Sequence, residues 1–577
     1  MKTNSVIYSG RFARWAALLL FLSAGTSFAD NSKISPDLLP LLKNPSSSTN
    51  INVIVQYNAP PPTQGLIGGL LGGVTKLLGG VVNAVFSLIP ALSATLHPAD
   101  ILALSDQPNV TYISLDRVLA GSLDYTTGAM NAQAAWTTGL DGTGVGIAII
   151  DSGIFQHPDL NAANSTKSRV VYRQSFIGGT QFDDFGHGTH VAGIAAGNGA
   201  MSNKPGALHI YKGVAPNANL LDLRVLDKNG SSNDSVVIAA IDKAIQLKNQ
   251  YNVRVINLSL GRPIYEGCAR DPLCQAVEQA WRSGIVVVTA AGNLGRNGYA
   301  TVLCPGNAPH AITVGAMKTE ETVTRTDDLI ASYSSRGPTY IDLTAKPDVV
   351  APGNLVVSLF APGSTLSKEF PENVVHPSEY STMPTASTAA SYFRLSGTSM
   401  ATPAVSGTVA LMLQKDPTLN PDTVKARLMK TASKKFPQSS TACDPTTGKC
   451  YTDFYDIFTV GAGYVDINAV LASHDRATGS AASPTFLWEP QWQVAILLPN
   501  PLEVWWSSSV WTSNIVWGTT VLQPGPNGTN AAWGSNAAWG TNAAWGTNAA
   551  WGTNAAWGSN AAWGTNAAWG TSGFGEK

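Results

Sequence analysis

Three short segments of this chain carry side chains that together could cleave an acyl bond. They are Ile149-Ile150-Asp151-Ser152-Gly153, Gly186-His187-Gly188-Thr189-His190 and Gly397-Thr398-Ser399-Met400-Ala401. Such hydrolysis at neutral pH needs a nucleophile, a base, an acid that orients the base, and donors for the oxyanion. Ser399 stands between Gly397 and the apolar run 405–413, the pattern of a tight turn opening a buried helix. At a helix N-terminus its backbone N–H and the helix dipole favour developing negative charge. A plain helix cap accounts for the same serine. His187 has glycines on both sides, which let other segments approach the ring. With His190 it could also be a structural residue or half of a metal pair, although the glutamate and third ligand of a zinc site are missing. Asp151 ends an apolar strand, where open α/β sheets place ligands, yet Asp-Ser-Gly is ordinary turn chemistry too. Asn293, in Ala290-Ala291-Gly292-Asn293, could donate to an oxyanion or simply make a turn.

These residues need a scaffold, and the apolar patterning supplies one. Segment 145–150 is continuously apolar, 220–225, 253–258 and 285–289 repeat its largely apolar character, and the stretches 236–248 and 271–283 between them read as helices. Strands hydrophobic on both faces, alternating with helices, predict an α/β unit with a mostly parallel sheet covered on two sides. It runs from about 142 to 473 and closes with a helix at 421–431.

The order Asp, His, Ser separates this constellation from two other orders found in unrelated folds. On the motifs quoted above, extended by His190-Val191-Ala192-Gly193 and Ala401-Thr402-Pro403, the chain resembles the subtilases over about 134–473. The resemblance implies a subtilisin-like three-layer domain and a serine endopeptidase working through an acyl-enzyme. It makes Asp151, His187 (not His190) and Ser399 the triad, with Asn293 as oxyanion donor. It implies that Ser259, Leu260 and Gly261 pair with substrate and line a specificity pocket whose other wall is Ala290, Ala291 and Gly292. Cys304 falls near that pocket. No cofactor is implied for the chemistry. Structural calcium stays open: Asp159 resembles one family ligand, but 197–212 lacks an acidic run. Residues 364–391 look like an insertion that shapes a surface loop.

At 577 residues, more than one folded unit is expected. A net charge of −1 with no long charged run argues against nucleic acid or anionic lipid as a partner. Lys2, Arg11 and Arg14, the apolar run 15–22 and Ser27-Phe28-Ala29 predict a signal peptide over 1–29, hence a secreted protein. That run is too short for a transmembrane anchor. Residues 30–122 resemble the subtilase propeptide, an intramolecular inhibitor and folding aid removed near 120–124. Their folded part, about 51–118, reads as a ferredoxin-like β-α-β-β-α-β unit with its first helix at 65–78. The peptidase domain is expected over 123–475 and an extension over 476–577.

From position 482 onward lie 13 of the 16 tryptophans, ending in seven copies of Ala-Ala-Trp-Gly-Ser/Thr with Trp533 to Trp569 six residues apart. A hexapeptide solenoid and a low-complexity tail both fit this pattern. The tail could self-associate or hold the chain at the cell surface, and a surface or matrix protein acting through it is the alternative function. Among five cysteines, Cys443 with Cys450 and Cys268 with Cys274 suit local bridges, leaving Cys304 odd.

Overall fold

The computed structural model describes residues 31–35, 38–44, 49–59, 81–85, 91–115, 122–179, 182–383, 389–444, 448–489, 494–507, 510 and 516–517. The expected signal segment, the helix expected at 65–78 and all seven tryptophan repeats lie outside them. The chain divides into two compact units at Leu119/Ala120.

In the N-terminal unit, β1 (Ile51–Tyr57), β2 (Val81–Val85), β3 (Ala91–Leu96) and β4 (Val110–Leu115) form an antiparallel sheet in the order β2-β3-β1-β4. Val53 and Val55 of β1 alternate inward and pack with Leu92, Ile113 and Ile101, the last from helix α1 (Pro98–Ser105). Proline at the first helical position gives up an N–H that would have no partner anyway.

The second unit is built on an eight-stranded sheet. Its main path is β11 (Leu329–Ile330), β10 (Ile312–Lys318), β9 (Val286–Ala290), β8 (Val253–Leu258), β5 (Gly146–Asp151), β7 (Asn219–Arg224) and β6 (Val170–Ser175), and β12 (Val349–Pro352) pairs with β10. All pairings are parallel except β10 with β11. Every residue of β5 is buried. Ile147 and Ile149 face one core while Ala148 and Ile150 face the other, which is why the strand reads as an unbroken apolar run. Helices α2 (His187–Ala196) and α5 (Thr398–Lys415) supply the first core, α3 (Asp234–Gln246) and α4 (Pro272–Arg282) the second. The result is the three-layer α/β arrangement expected from the alternation.

Two expectations need correction. The insertion at 364–391 is more than a surface loop, because Leu366, Val375 and Tyr380 are buried in the main core. The backbone N–H groups of Thr365 and Leu366 donate to the carbonyls of Asp184 and Phe185 (2.9 and 3.0 Å), so the insertion backs the turn that carries His187. The seam at 475 is also no packing boundary. Ala477, Ala481, Phe486, Val504, Trp505 and Trp517 all belong to the same core cluster. The cysteines pair as Cys268–Cys274 and Cys443–Cys450, with Cys304 buried and unpaired.

Candidate active site

Asp151 ends β5 and His187 opens α2, so two elements meeting at one sheet edge bring them together. His187 Nδ1 lies 2.7 Å from Asp151 Oδ1, which also accepts the Ser152 backbone N–H at 2.7 Å. A carboxylate only accepts, so Nδ1 carries the proton and Nε2 keeps a lone pair. His187 Nε2 is buried and has no hydrogen-bond partner among the described residues. Gly188 allows this approach: a Cβ there would stand 2.2 Å from the Gly153 carbonyl oxygen.

Sequence reasoning missed the carboxylate that fixes this corner. Asp183 is buried and accepts from Ser152 Oγ (2.7 Å), Gly186 N–H (2.7 Å), Thr189 N–H (2.8 Å) and Thr189 Oγ1 (2.6 Å). Burial pushes its pKa up, and these four donors oppose the shift. His190 is structural. Its Nε2 faces the carbonyls of Val356 (3.1 Å) and Phe393 (3.0 Å) and must donate to them. Burial, then the neighbouring His187, drive its pKa down to about 3, so it stays neutral.

Ser399 sits in the first turn of α5, buried, as the Gly397 turn predicts. Its Oγ donates to the Ser259 carbonyl at 3.1 Å, and Ser259 Oγ donates to the Ser399 carbonyl at 2.9 Å. The second bond has a cause in the sequence. Four residues on is Pro403, which has no N–H to offer that carbonyl. Ser259, expected only as a substrate-side residue, therefore also holds Ser399 through two hydrogen bonds.

Asn293 follows β9. Its Oδ1 accepts the Thr398 backbone N–H (2.9 Å) and Thr398 Oγ1 (3.0 Å), while Thr398 Oγ1 accepts the Gly292 N–H (3.1 Å). With its carbonyl oxygen committed, the amide presents only its NH₂ as a free function. Thr398, unremarked in the sequence beyond its place in the motif, fixes that orientation.

Asp159, which resembles a family calcium ligand, accepts hydrogen bonds through both carboxylate oxygens. Oδ1 accepts the Met201 N–H at 2.8 Å and Oδ2 accepts the Tyr392 hydroxyl at 2.7 Å. Burial raises the Tyr392 pKa well above its usual value, so the phenol remains a proton donor. Cys304 is fully buried, and burial raises its thiol pKa strongly.

An Asp–His pair at the end of β5, a serine in the first turn of α5 and an amide oriented by Thr398 are the parts that a serine hydrolase uses. The comparisons then narrow the class. The subtilase family model matches residues 142–452. Serine protease AprX of Bacillus subtilis (strain 168) is 38% identical over 360 residues, 61% of this chain and 76% of that protein. Subtilisin E of the same organism is 35% identical over 62% of this chain and 78% of its own. A crystal structure of a cold adapted subtilisin-like serine proteinase aligns at 29% identity over 51% of this chain and 84% of its own, with a TM-score of 0.37. This chain belongs to the subtilase family and is a serine endopeptidase.

Proposed function

We propose that the chain is a secreted endopeptidase that cleaves peptide bonds through an acyl-enzyme on Ser399 and matures from its own precursor. The observation that carries the reading is the 2.7 Å His187–Asp151 bond, which leaves the buried Nε2 as a vacant base. On attack, the Ser399 hydroxyl leaves the Ser259 carbonyl and gives its proton to Nε2 as Oγ bonds to the scissile carbon. Asp151 stabilises the imidazolium so formed. The Asn293 NH₂ and the Ser399 N–H receive the oxyanion. The protonated base then hands its proton to the leaving amine, and water releases the acyl group.

The N-terminal unit, residues 51–118, acts in this reading as an inhibitor cut from the catalytic unit near 120–124. Wild type and Ser399→Ala are expressed side by side and their N-termini sequenced. Wild type is expected to begin near residue 123 and to digest an unstructured protein. The variant is expected to keep its N-terminal unit and to digest nothing. Identical processing of both chains, with neither cleaving, overturns the reading.

The same site favours small side chains at the cleaved bond. A Cβ on Gly261 would lie 3.0 Å from Leu303 Cβ, and one on Gly292 would lie 2.7 Å from Leu303 Cγ. With 259–261 and 290–292 read as the two walls of the specificity pocket, Leu303 lies between them and takes up volume there. Leu303→Gly should raise kcat/KM for phenylalanine over alanine substrates by about 10–100-fold, the scale of a few methylenes in an apolar pocket. Paired peptide anilides read the ratio. A ratio unchanged by the substitution would place the pocket elsewhere.

A further inference from the structure

Asp222 and Arg173 are opposite one another in the parallel pairing of β7 with β6, one strand removed from the strand that ends in Asp151. Their side chains reach across the sheet edge to one residue. Arg173 NH1 donates to Asp222 Oδ2 (2.7 Å) and to the Ile154 carbonyl (2.5 Å), and Asp222 Oδ2 accepts the Ile154 N–H (3.1 Å). The ion pair thus holds both backbone polar groups of a buried residue three positions beyond Asp151. The intervening residues carry the geometry of the site. Ser152 N–H binds Asp151 Oδ1, and Gly153, at φ 112°, lays its carbonyl against Gly188 beside His187. The next residue, Phe155, donates its N–H to Thr189 Oγ1 on α2 at 2.8 Å. Any movement of Ile154 is passed through Gly153 to both members of the Asp–His pair.

We propose that the Asp222–Arg173 ion pair is a positioning device for catalysis, holding the 152–155 turn so that Asp151 and His187 keep their spacing. The inference rests on the reading of those two residues as catalytic. Nothing in the reaction touches Asp222, which is nearly fully buried and leaves Oδ1 without a partner among the described residues. An unsatisfied buried carboxylate oxygen destabilises the fold. Retaining it beside the active site is the signature of a group kept for geometry.

The groups facing Asp222 are Arg173 from β6, Arg224 from its own strand, Asp183 from the segment before α2 and the Ile154 N–H. Burial pushes the carboxyl up to about 7; Asp183 adds to this, while the two arginines and the N–H oppose it. A carboxyl raised on folding stabilises the fold while protonated, and that contribution is lost as pH rises through about 7. The ionised pair is therefore formed at the expense of stability on the alkaline side, where it orders the turn. On the acid side the clamp is discharged.

Asp222→Asn keeps the shape and removes the charge. At pH 9 it is expected to lower kcat about tenfold, the scale of a sub-ångström misplacement, with KM within about twofold. Thermal unfolding at pH 9 should occur no lower than in wild type. The acid limb of the kcat profile is expected to follow two protonations in wild type and one in the variant. A kcat loss that merely tracks a lowered unfolding temperature, or an unchanged kcat and acid limb, overturns the proposal. Should Asp222→Asn fail to fold, Arg173→Gln, whose side chain is 25% exposed, is expected to show the same kcat loss at constant KM. An unchanged kcat there overturns it equally. Absence of wild-type activity in the same assay would instead count against the catalytic reading itself.

Discussion

Replacing Ser399 with alanine is expected to lower turnover of a peptide anilide by about 10⁶-fold, and adding His187→Ala should lower it no further; this magnitude is the one measured in subtilisin itself. The reason is the closed division of labour in the site. His187 Nε2 has no role among the described residues other than receiving a proton, and its Nδ1 is already spent on Asp151. Without Oγ there is no proton to receive, so the base contributes nothing. Burst kinetics of single and double variants check the result. Losses that multiplied would mean that serine and histidine act in separate steps.

Asn293→Ala should lower kcat by about 10²–10³-fold with little change in KM, again the range known from subtilisin's oxyanion donor. Its NH₂ gains strength only when negative charge develops, so ground-state binding does not need it. The structure adds a companion test to that expectation. Because Thr398 Oγ1 and N–H both bind Asn293 Oδ1, Thr398→Val removes one of two anchors and should produce a smaller kcat loss of the same kind. Near-full kcat in Asn293→Ala would show that the oxyanion is bound by other donors.

The scaffold and the Asp151–His187 pair were legible because each leaves a local trace. Strands buried on both faces must be apolar throughout, and glycines must stand where backbones nearly touch, as Gly188 does against Gly153. The positioning residues leave no such trace. Asp183 looks like any loop aspartate until Ser152 and Thr189, 31 residues back and six on, are folded around it. Asp222 interrupts an apolar strand, but its partners on β6 and at Ile154 are remote in sequence. Asp159 resembles a family cation ligand, and its bond from Tyr392, 233 residues away, leaves no trace in any motif. The seam at 475 was placed by composition, and composition changes where tryptophans accumulate, not where packing stops.

That seam bears on where the chain can be shortened. The Trp505 indole is buried at 1% exposure and donates to the Ala482 carbonyl at 2.7 Å, while Ser483 Oγ bonds Asp348 between the buried ammoniums of Lys346 and Lys425. The described part of 477–517 therefore belongs to the enzyme's own interior, and trimming that spares this packing must fall beyond Trp517.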